Sequence, residues 1–226
     1  MGEQERGVES MSEFFDQRSA AYDQHMQQSI TGFEAFYESI AAPVKSSDSP
    51  IRVLDLGCGT GLTFDYIFDK VPQARITAVD ISGCMLNQLS KKYTDRMGQI
   101  DIIRDSYFNL DFSPDQFHYI IAVMTFHHLL PEDKLSMYRE ILRWLKTGGV
   151  YVEGDYMVSG VEERESLQAY NRIMERLKSA APGLYHVDVP LSVDTQMKLL
   201  LEAGFKSVKE IWHQEQAAVL QAEGAR

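Results

Sequence analysis

The stretch Ile51-Arg52-Val53-Leu54-Asp55-Leu56-Gly57-Cys58-Gly59-Thr60-Gly61 decides the reading of this chain. Ile51, Val53 and Leu54 read as a short buried strand, and Asp55 closes it. Three glycines at alternate positions follow, then Leu62, Phe64, Ile67 and Phe68 at helical spacing. Strand, glycine turn and helix in this order make a nucleotide-binding corner. The glycines let the backbone take unusual dihedrals and let a ligand approach the main chain closely. The helix N-terminus just beyond offers unpaired N–H groups. A tight turn with no ligand is the plain alternative, but one turn rarely needs three glycines and an acid.

Spacing bears on the ligand. The dinucleotide fingerprint is G-x-G-x-x-G, with its pyrophosphate on the helix N-terminus. Here the pattern is G-x-G-x-G, preceded by Asp55. A carboxylate at that mouth suits a cationic amine better than a pyrophosphate. This motif resembles the first motif of class I S-adenosylmethionine-dependent methyltransferases. The resemblance implies that S-adenosylmethionine is the cofactor and S-adenosylhomocysteine the product. It also implies that Asp55, Gly57 and Gly59 receive the methionine end, with Cys58 inside the turn against the ligand.

Length and composition set bounds. At 226 residues, one domain with an N-terminal embellishment is expected. No stretch approaches the roughly 20 apolar residues of a membrane span. The polar start Met1-Gly2-Glu3-Gln4-Glu5-Arg6 does not read as a signal peptide. Two cysteines, Cys58 and Cys84, make no disulfide framework and no zinc spacing, which fits a reducing, cytoplasmic setting. The formal net charge of −11 argues against a nucleic-acid partner, whose protein usually shows a basic face. A small-molecule acceptor is therefore expected. The sequence leaves a homodimer open.

Outward from the glycine turn, strands and helices alternate. Two helices are expected between Met11 and about Ile40, then a linker through Pro50. Residues 1 to about 10 read as frayed. Strands are expected at about 51–55, 76–79, 100–104 and 118–124, with helices at about 61–70 and 82–95 between them. Pro131 opens a helix with Leu135, Tyr138, Ile141, Leu142 and Leu145 on its apolar face, ended by Gly148-Gly149. Val150 then starts the fifth strand. A helix over about 161–180 and a loop over 182–190 follow, and Ser192 caps a helix ended by Gly204. Lys206–Trp212 and Gln216–Leu220 read as closing strands, joined so tightly that they must be antiparallel. The fold class is thus α/β, a Rossmann-like, seven-stranded, mostly parallel sheet with a C-terminal antiparallel hairpin. Residues 1–50 form a helical lid and linker. Residues 51–226 form the core, with a helical insertion at about 157–190. The hairpin is a second point of resemblance to the methyltransferase fold.

The remaining site residues follow from strand ends. Asp80 ends the second strand about 20 residues beyond the glycine turn, where an acid accepts from ribose hydroxyls. The resemblance implies that Ile81 and Met85 pack on adenine. It also implies that Asp105 accepts from the adenine amino group while the Ser106 N–H meets a ring nitrogen. Arg104 stands where many relatives have glycine. Backbone carbonyls near Val123 would face the cofactor amine. His127 and His128, which follow the fourth strand on the acceptor side, and Tyr22 of the lid, over the methionine end, are candidate catalytic residues for a general base. Each could instead serve packing or capping. No third ligand is spaced to make a metal site of the His-His pair, so no metal is expected. Glu153, Asp155 and Tyr156 end the fifth strand and are candidates to meet substrate, while Tyr185 and His186 fall in the covering loop.

Three other functions compete. The Phe14-to-Asp23 stretch and the Ala203-Gly204-Phe205 ending also resemble tRNA wobble-uridine enzymes, including one that makes carboxy-S-adenosylmethionine. That relative holds a carboxylate with a basic residue of the insertion, where this chain has Arg172 and Arg176, neither alignable to the role. A nicotinamide-dependent oxidoreductase shares the corner but not the glycine spacing, Asp55 or the hairpin. A non-catalytic cofactor-binding subunit would show a broken corner, whereas Asp55, Gly57, Gly59, Asp80 and Asp105 are all present.

Overall fold

The computed structural model describes residues 9–177 and 185–224. Three helices come first: α1 (Met11–Arg18), α2 (Tyr22–Ser29) and α3 (Phe33–Ala41). The two-helix expectation misses the break at Ser19–Ala21, a single tight turn between α1 and α2. Glu9 and Ser10 are not frayed. Ser10 caps α1, and the Glu9 carbonyl accepts the His186 N–H at 3.1 Å. Residues 1–8 and the loop positions Pro182 and Gly183 lie outside the described residues.

The alternating part contains β1 (Arg52–Leu56), α4 (Phe64–Lys70), β2 (Arg75–Asp80), α5 (Gly83–Lys92), β3 (Ile100–Arg104) and β4 (Phe117–Val123). It continues through α6 (Pro131–Trp144), β5 (Leu145–Tyr156), α7 (Gly160–Leu177), α8 (Val193–Ala203), β6 (Ser207–Gln214) and β7 (Ala217–Glu223). The strands form one seven-stranded sheet in the order β3-β2-β1-β4-β5-β7-β6. The first four pairings are parallel, and β7 runs antiparallel to both β5 and β6. Chain order reverses between β1 and β4, so the crevice beyond their carboxyl ends is where an open α/β sheet receives ligands.

Strand alternation divides the core. Val53, Ile76, Tyr119, Ile121 and Val152 face α3, α4 and α5. Leu54, Leu56, Ile120, Ala122 and Tyr151 face α6 and α8. Helix α3 belongs to the first layer: Phe36 and Ile40 press on Gly154 of β5, where a Cβ would collide with both. Of the three N-terminal helices, α1 and α2 border the crevice, joined there by Tyr170 and Met174 of α7.

Two expectations about α6 are corrected. Gly148 and Gly149 do not end it; the helix stops at Trp144 and the chain runs directly into the long strand β5. Its buried stripe is Lys134, Met137, Tyr138, Ile141 and Trp144, whereas Leu135 and Leu142 are half-buried. The stripe is displaced because Lys134 finds partners inside: its Nζ donates to Gln196 Oε1 at 2.9 Å and lies 3.8 Å from Glu153. Among the described residues no helix is long and apolar enough to cross a membrane.

Candidate functional site

The glycine turn sits against the end of β4. Gly57 has φ +73°, and a Cβ there would overlap the Thr125 hydroxyl. A side chain at 57 would therefore be strained by its backbone and by its neighbour. The Gly59 N–H donates to Asp80 Oδ2 at 2.8 Å, and the Ser82 N–H donates to Oδ1 at 2.8 Å. Asp80 is thus held by the turn it faces. Burial pushes its carboxyl up to about 6 despite those two donors.

Asp55 is the more unusual acid. Thr63 Oγ1 donates to its Oδ2 at 3.0 Å, while Oδ1 is buried with no hydrogen-bond partner. Burial pushes the carboxyl up to about 7. An unpaired buried carboxylate oxygen is costly. A cationic amine would satisfy it, and a small recess lined by Asp55, Gly57, Cys58, Tyr22 and Val123 opens beside it. The donor set therefore fits the methionine end of S-adenosylmethionine.

A larger cavity continues over Gly57, Gly59, Asp80, Ile81, Met85, Asp105 and Ser106. The structure thus brings every residue of the expected nucleoside side to one wall. Met85 is buried and Asp105 exposed. Asp105 Oδ1 accepts from the Ser106 N–H at 2.7 Å and from Asn109 Nδ2 at 2.8 Å, which sets the loop after β3.

A second cavity lies under α1 and α2. His127, His128, Tyr156, His186 and Asp188 line it, and Phe15, Tyr22, Met124 and His128 border both cavities. Tyr22 borders the Asp55 recess as well. Burial, reinforced by Asp80, holds the Tyr22 phenol above its ordinary range, so it stays protonated at neutral pH. Met124 has φ +51°, a left-handed conformation disfavoured for a side-chain-bearing residue. Its strain sits where the two cavities meet.

His127 is fixed from behind. Asp155 Oδ2 accepts its backbone N–H at 2.9 Å, and Asp155 Oδ1 lies 2.5 Å from its Nδ1. Burial depresses the imidazole, but the Asp155 charge outweighs this and raises it overall. Asp155 is correspondingly held low by His127 against its own burial. Burial and the adjacent His127 push His128 down to about 4, so it stays neutral.

Two site expectations change. Glu153 does not meet the cavity; it is fully buried and accepts from Tyr138, Tyr151 and Gln196 at 2.5–2.8 Å. It shares a face of β5 with Asp155, but two residues earlier it lies beneath α6 and α8 rather than at the strand end. The His-His pair does acquire a third potential ligand, since Asp188 Oδ1 lies 3.0 Å from His128 Nδ1 and 3.8 Å from His127 Nε2. Arg172 is exposed on α7 and is absent from both cavity walls.

Sequence reading missed the fastenings of α1 and α2. Asp16 of α1 accepts from Ser82 Oγ at 2.5 Å and from the Cys84 N–H at 3.1 Å, at the start of α5. Asp23 of α2 accepts from Thr60 Oγ1 and, at 3.1 Å, from Lys92. Phe14 stacks on His186 with centroids 3.4 Å apart. Acids in an amphipathic helix read as solvated, so no local signal distinguishes these two.

Comparison with known proteins agrees with this geometry. Residues 53–149 match the family model described as a methyltransferase domain. The carboxy-S-adenosyl-L-methionine synthase of Campylobacter fetus is 23% identical, covering 92% of both chains. Malonyl-[acyl-carrier protein] O-methyltransferase 2 of Ilyobacter polytropus is 24% identical, covering 75% of this chain and 63% of that one. Among solved structures, the DhpI–SAH complex superposes with TM-score 0.68 at 19% identity, covering 97% of this chain and 98% of the other. The sheet order, the glycine corner and these relatives together support a class I S-adenosylmethionine-dependent methyltransferase, with some likeness to the carboxy-S-adenosylmethionine synthases.

Proposed function

We propose that this methyltransferase passes the methyl group of S-adenosylmethionine to a small-molecule acceptor by in-line attack, the acceptor lying in the histidine-lined cavity. The observation that carries this reading is the shared wall: Phe15, Tyr22, Met124 and His128 border both cavities, so two ligands would meet there. When bound, the cofactor supplies an electrophilic methyl on a sulfonium. The chain supplies alignment and exclusion of water.

The roles follow from placement. Asp55 takes the ammonium of the methionine end, beside the main chain of Gly57, Cys58 and Gly59 and the carbonyl of Val123. Asp80 accepts from the ribose hydroxyls. Ile81 and Met85 lie against adenine, while Asp105 and the Ser106 N–H read its edge. Tyr22 closes the methionine end as a protonated phenol. His127, oriented by Asp155, and His128 present ring nitrogens to the acceptor. The net charge of −11 supports a small acceptor over a nucleic acid, and the cysteine usage supports a cytoplasmic setting.

Titration calorimetry with S-adenosylhomocysteine on the parent and on Asp80→Ala tests the cofactor assignment. Micromolar-range binding that the variant loses is expected; a folded parent that does not bind would refute it. A second reading, carboxy-S-adenosylmethionine synthesis, is favoured by similarity running nearly the full length of that relative. Mass spectrometry of the nucleoside product separates the two, since only the second reading yields a carboxylated cofactor.

A further inference from the structure

We propose that His127, His128 and Asp188 form a binding site for a divalent transition-metal ion, zinc being the ion to test, on the acceptor side of the cofactor cavity. One ligand atom from each lies within 4.8 Å of the others. Asp188 Oδ1 stands 3.0 Å from His128 Nδ1 and 3.8 Å from His127 Nε2. Metal–ligand bonds of roughly 2.0–2.2 Å set ligand atoms about 3.3–3.6 Å apart in a tetrahedron, so small side-chain movements complete the set.

Two further observations point to an ion. His128 is almost wholly buried, yet neither ring nitrogen makes a hydrogen bond of acceptable geometry, even to the nearby Asp188 oxygen. A buried imidazole whose nitrogens make no well-aligned hydrogen bond is costly, and a metal bond removes that cost. His127 has the arrangement of a metal-bound histidine: Asp155 occupies Nδ1 from behind and leaves Nε2 toward the cluster. Two imidazoles and one carboxylate with an open side suit zinc or iron(II) rather than magnesium or calcium, which prefer oxygen ligands. His186 Nε2, 3.8 Å from the same Asp188 oxygen, flanks the site from the covering loop.

The open side faces the acceptor cavity, so the ion would take an acceptor hydroxyl or carboxylate as its next ligand. A coordinated hydroxyl gives its proton to water and attacks as the alkoxide. The new bond joins that oxygen to the methyl carbon, and the sulfur–methyl bond breaks to leave a neutral thioether. This use of the ion rests on the methyl-transfer reading above, but binding of the ion does not.

The test uses tag-free full-length protein, stripped with chelator and titrated with zinc chloride, with bound metal counted by elemental analysis. The expected result is one zinc per chain, with affinity falling about 100-fold or more in His128→Gln and in Asp188→Asn and unchanged in His213→Gln on the distant hairpin. Asp155→Asn should weaken zinc roughly 10–100-fold through His127. Cobalt(II) in place of zinc should give visible absorption that Asp188→Asn abolishes. No stoichiometric zinc, or zinc binding indifferent to both His128→Gln and Asp188→Asn, would overturn the site. S-adenosylhomocysteine titrations on the same samples keep the two ideas separate: binding of that nucleoside by a parent that ignores zinc defeats the metal site alone.

Discussion

Asp155 grips His127 twice, once at the backbone N–H and once at Nδ1, 28 positions away in the chain. That double contact leaves Nε2 as the nitrogen presented to the cavity. In Asp155→Asn a charge-assisted hydrogen bond worth about 1.5–3 kcal/mol is weakened. Methyl transfer should fall roughly 10–100-fold, while S-adenosylhomocysteine binds as in the parent. Equal loss of both in calorimetry and turnover assays would show that Asp155 supports the fold rather than His127.

Asp55 links cofactor affinity to pH. Its ligand-free carboxyl titrates at about 7 and is charged only above that. A cationic ligand prefers the charged form. Affinity for S-adenosylhomocysteine should therefore rise with pH through about 7, with a proton released on binding near pH 6. Calorimetry in buffers of different ionisation enthalpy reads that proton directly. Asp55→Asn should bind weakly at every pH and lose the slope.

The same acid carries an opposite signature in stability. A carboxyl whose folded value lies above its unfolded one binds more protons when folded, so stability falls as pH rises between about 4 and 7. The ligand-free parent should thus melt lower at pH 8 than at pH 5 through this group. Asp55→Asn should be the more stable protein above pH 7 and should flatten that part of the pH profile of Tm.

Gly57→Ala tests the corner's backbone. The substitution meets both a φ of +73° and the Thr125 side chain. A loss of about 1–3 kcal/mol in unfolding free energy is expected, together with loss of nucleoside binding. Thr125→Ala should relieve part of the collision, so a double variant no better than Gly57→Ala would refute the steric account.

Lys134 tests the buried network away from the cavities. Lys134→Met leaves the buried Glu153 carboxyl beneath α6 without its cation and should cost about 3–5 kcal/mol. Adding Glu153→Gln should recover much of it. Denaturant unfolding measures both, and S-adenosylhomocysteine affinity should hardly change in the folded double variant.

Much of this molecule was legible in order along the chain. The glycine turn between an apolar run and an amphipathic helix determines a strand–turn–helix corner because local sterics decide it. The alternating elements and the tight final connection determine a parallel sheet ending in an antiparallel hairpin, because chain connectivity forces the strand directions. Asp80 and Asp105 could be assigned to the cavity wall because residues at the carboxyl ends of the strands line the crevice of an open α/β sheet. Tertiary structure alone decided that Lys134 is buried, that Glu153 lies away from the cavity, that Asp16 and Asp23 fasten α1 and α2 to the sheet domain, and that Asp188 joins the histidine pair. Each depends on which distant groups meet in space. Whether a charged side chain is solvated, paired or aimed at a ligand is a property of its neighbours, and those neighbours come from other elements.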